Sequence, residues 1–104
     1  MKQLDEKNFE QALNNHPVTG SFILNKKYVL DYTFESLHLL DLKITNGSFT
    51  CSLFQKCTFK NVIFESVHLD DCNFRNCTFK NTTFKNCTTE GIEFDNCTDM
   101  PKIM

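Results

Sequence analysis

From residue 34 onward a large apolar side chain returns every five positions: Phe34, Leu39, Ile44, Phe49, Phe54, Phe59, Phe64, Leu69, Phe74, Phe79, Phe84, Thr89 and Phe94. Only Thr89 breaks the series. Neither the period of 2 of a strand nor the period of 3.6 of a helix produces this spacing. A second slot lies two residues earlier and holds small or aliphatic side chains, among them Leu37, Leu42, Ser52, Cys57, Val62, Val67, Cys72, Cys77, Thr82, Cys87, Ile92 and Cys97. A third slot, two residues after the large one, holds Ser36, Asp41, Asn46, Asn61, Ser66, Asp71, Asn76, Asn81, Asn86, Gly91 and Asn96, with Cys51 and Lys56 as exceptions. Those residue types bond to nearby backbone or tolerate left-handed angles, so the slot predicts turns. Each five-residue unit is therefore one short extended side and one corner. Four near-right-angle corners close a square coil of 20 residues. Residues 20 apart then stack at about the spacing of neighbouring strands, 4.8 Å. The predicted ladders are Phe34/Phe54/Phe74/Phe94, Leu39/Phe59/Phe79 and Ile44/Phe64/Phe84, with the interior filled by side chains.

The segments Cys57-Thr58-Phe59-Lys60-Asn61 and Cys77-Thr78-Phe79-Lys80-Asn81 resemble the consensus of the pentapeptide-repeat family: a small residue, a polar residue, Leu or Phe, then two variable positions. The resemblance covers residues 32–98. It implies an all-β fold, a right-handed quadrilateral β-helix of roughly 3–4 coils; the hand comes from the family and not from the period.

The ends differ in composition. Leu4, Phe9, Ala12 and Leu13 lie among good helix formers, with Asp5 as N-cap and Pro17 as stop, which predicts a short capping helix over residues 5–15. Residues 21–32 look extended. They form either an irregular first coil or a hairpin turning at Asn25-Lys26-Lys27, since Lys27 would fall in an inward slot. The organisation expected is an N-terminal cap (1–31), a solenoid (32–98) and a short tail (99–104). Five residues beyond the repeats can hardly cover a square end, and an open strand edge is a template for pairing. The expectation is a homodimer through the C-terminal end, with Phe94, Met100, Ile103 and Met104 in the interface.

Charge and candidate chemistry narrow the function classes. The chain has 11 basic and 13 acidic residues among 104, a net charge of −2, so the basic profile of a nucleic-acid binder is missing. No apolar run approaches the roughly 20 residues of a membrane span. The start, Met1 to Lys7, carries no signal-peptide core; the expectation is a cytoplasmic protein. Of the six Cys, five fall in the small inward slot, where they read as packing, and only Cys51 is out of phase. No C-x-x-C or C-x-x-H spacing supports zinc, and no metal or cofactor is expected. His38 and His68 fall on opposite sides of a square coil, which separates them as ligands. The five N-x-S/T sequons at Asn46, Asn76, Asn81, Asn86 and Asn96 follow from Asn in the turn slot and read as a by-product of the repeat. No nucleophile–base pair and no concave pocket are expected, so the chain does not read as an enzyme.

Outward charge is the informative feature. The side around Phe49, Leu69 and Thr89 carries Asp70, Asp71 and Glu90 with no Lys or Arg. The opposite side carries Lys60 and Lys80 with Asp41. The first reads as a docking face for a protein partner, which the sequence does not identify. The expected function is a non-enzymatic protein-binding or scaffold module. The alternative, implied by the resemblance, is a DNA mimic that protects DNA gyrase or topoisomerase from inhibitors or toxins. Charge density disfavours it: residues 32–98 span a rod of about 16 Å, over which duplex DNA carries about nine to ten charges. The repeats hold eight acidic and six basic residues.

Overall fold

A computed structural model of the chain describes residues 22–25 and 33–104. The capping helix expected over residues 5–15 lies outside the described residues. The strands, in chain order, are β1 (Phe22–Asn25), β2 (Thr33–Glu35), β3 (His38–Thr45), β4 (Leu53–Gln55), β5 (Thr58–Glu65), β6 (Asn73–Arg75), β7 (Thr78–Lys80), β8 (Thr83–Lys85), β9 (Glu93–Asp95) and β10 (Lys102–Ile103). Most are three residues long because only the large residue and its two neighbours fit between corners. The eight-residue strands β3 and β5 run through a corner, at Asp41 and Asn61.

All strand pairs are parallel and stack one coil on the next. One sheet runs β1-β3-β5-β8-β10, with β7 also on β5; the other runs β2-β4-β6-β9. The register is the 20-residue period itself: Phe34↔Phe54, Phe54↔Phe74 and Phe74↔Phe94, then Leu39↔Phe59 and Phe59↔Phe79, then Ile44↔Phe64 and Phe64↔Phe84. The fourth side is held by the bridges Ser48↔His68 and His68↔Thr88. β1 joins the same register, Leu24↔Ile44, so residues 22–25 lie in coil phase; a hairpin partner for them would lie outside the described residues.

The core follows the slots. Every large-slot residue from Phe34 to Phe84 is at most 1% exposed, and the small-slot residues Cys57, Val62, Val67, Cys72 and Cys77 are buried with them. Rings stack down the ladders: Phe54 on Phe34 at 4.9 Å, Phe74 on Phe54 at 4.9 Å, and Phe79 on Phe59 at 4.8 Å. Between ladders they meet edge to face, as Phe59 and Phe74 do at 5.8 Å. Aromatic quadrupoles favour both the offset stack and the T. Phe84 departs from its ladder, standing at 77° to Phe64.

The corners explain the third slot. Ser36, Asp41, Asn46, Cys51, Lys56, Asn61, Ser66, Asp71, Asn76, Asn81, Asn86, Gly91 and Asn96 all have positive φ. Asn, Asp and Gly enter that region at low cost. Cys51 (φ 62°) and Lys56 (φ 56°) adopt it without that advantage. Their corner geometry is imposed by coils above and below: the Lys56 amide donates to the Arg75 carbonyl at 2.9 Å. Lys56→Asn is therefore expected to stabilise the fold by about 1 kcal/mol. A urea denaturation midpoint that does not rise would show that Lys56 is not held left-handed.

The C-terminal residues are part of the coil. Asp99 falls where the period puts a large inward residue, and burying a carboxylate there would be costly. The chain instead turns early: Asp99 is exposed with φ 52°. The step shortens from 20 residues to 19, so that Lys102 pairs with Thr83 and Ile103 with Phe84. Pro101 is buried, filling the small slot above Thr82. The tail expected over 99–104 thus supplies a partial coil and the strand β10.

Candidate functional site

Three type II-like turns stack on the side of Phe49, Leu69 and Thr89. Each closes with a hydrogen bond to the first residue's carbonyl, from Ser52 to Phe49, Cys72 to Leu69 and Ile92 to Thr89, all at 3.2 Å. The positive-φ residues Cys51, Asp71 and Gly91 occupy the third position, as a type II turn requires. This geometry brings Asp70, Asp71 and Glu90 together at one corner. The Asp71 amide donates to the Glu90 carbonyl at 2.8 Å. The Asp70 carboxylate accepts from the Glu90 amide at 2.9 Å and from the Thr88 hydroxyl at 2.8 Å. Thr88 has spent its single proton on Asp70, so the His68 Nδ1 at 3.0 Å must be the donor to the Thr88 oxygen. A His68–Thr88–Asp70 chain therefore braces the turn. Asp71 lies over Gly91, and a Cβ at Gly91 would run into the Asp71 carboxylate.

The three carboxylates differ in what they can offer. Asp70 is half-buried and committed to the turn; Asp71 and Glu90 are exposed. The ion pairs found among the described residues lie elsewhere, Lys43–Glu65 at 3.7 Å and Arg75–Asp95 at 3.6 Å. Asp71 and Glu90 thus carry uncompensated charge on a rigid corner. His38 and His68 sit on separate sides, in β3 and in the bridge between Ser48 and Thr88. Among the described residues no group of three or more His, Cys, Asp or Glu is placed to hold a metal ion. No helix among them is long and apolar enough to cross a membrane.

At the C-terminal end Phe94 packs on Phe74 at 5.3 Å but is only partly buried. Met100, Ile103 and Met104 are 52%, 55% and 63% exposed. The edge strand β9 has β6 on one side only. The end therefore presents apolar side chains beside an unpaired backbone edge.

All six cysteines are free thiols, five of them in the inward slot and Cys51 exposed. Their role is more specific than filling space. Each inward thiol donates to the carbonyl of the large residue 23 positions earlier: Cys72 to Phe49 at 2.7 Å, Cys77 to Phe54 at 3.1 Å, Cys87 to Phe64 at 3.2 Å and Cys97 to Phe74 at 3.1 Å. Thr82 makes the same bond to Phe59 at 3.0 Å. The slot thus accepts a small residue with a donor, and sequence spacing alone does not reveal the acceptor one coil below. Burial pushes the Cys72 thiol up to about 12. The stacked Cys77 thiol and burial push Cys57 up as well, so these thiols stay protonated and unreactive at neutral pH. Thiol titration of the unfolded, non-reduced protein is expected to find all six free; four or fewer would overturn this assignment.

A family model described as pentapeptide repeats (9 copies) matches residues 46–88. No curated protein matches the chain. The same slots, corners and register extend on both sides of the matched residues, from Phe34 to Thr98, and residues 46–88 are pentapeptide repeats in sequence and in fold.

Proposed function

We propose that the chain is a non-enzymatic protein-binding or scaffold module that docks a protein partner on the corner of Asp70, Asp71 and Glu90. The observation that carries this reading is the uncompensated charge of Asp71 and Glu90 on stacked turns locked by backbone hydrogen bonds. A rigid surface spends little entropy on binding, and the interior below it is filled with phenylalanine. Outward charge is divided between two sides, with Lys60 and Lys80 opposite the carboxylates. That division favours a docking face over a uniformly negative DNA mimic. Asp71→Asn with Glu90→Gln tests the reading without touching the Asp70 brace. A partner captured from the source cell by the unmodified chain is expected to be lost from this double variant at unchanged melting temperature. Equal capture by both would contradict it.

The open C-terminal end supports a second element, a two-fold homodimer burying Phe94, Met100, Ile103 and Met104 in both copies. Light scattering is expected to give about 24 kDa, twice the 12.1 kDa of one chain. A monomer persisting at high concentration would rule this out.

A further inference from the structure

The side facing away from the acidic corner has an organisation of its own. Strand β5 crosses the corner at Asn61, so two outward ladders flank one edge of the coil. The first is Leu40–Lys60–Lys80 and the second is Lys43–Ile63–Thr83–Lys102, each in direct register. Between them the amide of Asn81 donates to Asn61 and that of Asn61 donates to Asp41, both at 2.8 Å. Leu40 and Ile63 are 52% and 40% exposed, the large apolar side chains left in solvent away from the C-terminal end among the described residues. Lys60 and Lys80 are exposed and stand directly opposite each other in neighbouring coils.

Like charges directly opposite on adjacent parallel strands destabilise a sheet. Two other steps in the ladders set opposite charges one above the other, Arg75 over Asp95 and Glu65 beside Lys85. An acidic residue at position 60 or 80 would satisfy the same slot and gain a pair. The stacked lysines, framed by two exposed aliphatic side chains, are thus a local cost that an incoming anion between them would relieve. The amide ladder and the strand pairings on both sides hold the surface in one shape before binding.

We propose that this lysine corner binds an acidic, leucine-bearing segment of a partner protein, its carboxylates between Lys60 and Lys80 and its apolar side chains against Leu40 and Ile63. Charge complementarity selects acid, and Leu40 and Ile63 select a protein segment over a nucleic acid, whose sugar-phosphate backbone would leave them in contact with phosphate. The proposal rests on reading the chain as a binding module but concerns a different surface from the Asp71–Glu90 corner.

The test is fluorescence anisotropy on the full chain with a labelled peptide of alternating glutamate and leucine. The comparison probes are the same peptide with lysine for glutamate, a DNA duplex and phosphatidylserine vesicles. The glutamate peptide is expected to bind, more weakly as salt rises. Lys80→Glu is expected to weaken it by roughly tenfold, the worth of one charge-assisted hydrogen bond. The same substitution should raise the melting temperature, because it sets opposite charges across from each other at Lys60. Stability and binding moving in opposite directions is a signature that a merely structural lysine would not give. Asp71→Asn with Glu90→Gln should leave the peptide affinity intact. Equal binding of both peptides, an unchanged affinity in Lys80→Glu, or binding of the duplex or vesicles without the glutamate peptide would each overturn the proposal. Failure here with retained capture by the acidic corner would leave the reading of the chain as a binding module standing.

Discussion

Phe74→Ala is expected to cost about 3–5 kcal/mol of folding stability. Phe74 lies between Phe54 at 4.9 Å and Phe94 at 5.3 Å, and it meets the edges or tilted faces of Phe79 at 5.4 Å, Phe59 at 5.8 Å and Phe84 at 5.8 Å. Truncation removes contacts in every direction. The neighbours are held in place by their own strand pairings, so they cannot collapse into the space, and a cavity remains. Phe94→Ala, at the open end where one side of the ring already meets solvent, is expected to cost about half as much. Urea unfolding of the two variants checks both size and order. A loss below about 1 kcal/mol for Phe74→Ala would show that it is not a central member of the stack.

Asn61→Val carries the second large expected effect, about 2–5 kcal/mol. One part is backbone: Asn61 has φ 55°, and a β-branched residue pays roughly 1–2 kcal/mol to stand there. The other part is the amide ladder, in which Asn61 both donates to Asp41 and accepts from Asn81, each bond contributing about 0.5–1.5 kcal/mol. Asn61→Gly separates the two, since it keeps the left-handed corner and removes only the ladder. Equal unfolding midpoints for the valine and glycine variants would show that the corner φ carries no cost.

The core was open to sequence reading because its period is unlike any helix or strand, so Phe34 through Phe84 could be assigned to the interior without a template. The corners were open for a related reason, and the backbone at Cys51 and Lys56 shows that the period outranks residue type. What the period could not show is where it stops. The early turn at Asp99 and the burial of Pro101 depend on the cost of placing a carboxylate in the core, which outweighs a regular 20-residue step. Contacts between coils were equally hidden. Thr88 lies 18 residues from Asp70 and looks like any outward threonine until the coil closes. The inward thiols find their carbonyl acceptors only across the same gap. For the candidate surfaces, the grouping of Asp70, Asp71 and Glu90 followed from phase alone. The commitment of Asp70 to the turn did not, because it is made through backbone and hydroxyl donors of the next coil.

Residues 20 apart stack in parallel register, and nuclear Overhauser effects between backbone protons report that stacking residue by residue. The expected contacts link Leu53 to Asn73 and Asn73 to Glu93, and Lys43 to Ile63 and Ile63 to Thr83, in the staggered pattern of parallel strands. The step linking Thr83 to Lys102 should be one residue short. Contacts between residues 10 or fewer apart in an antiparallel pattern, or a helical series of near-neighbour contacts through residues 53–95, would contradict it.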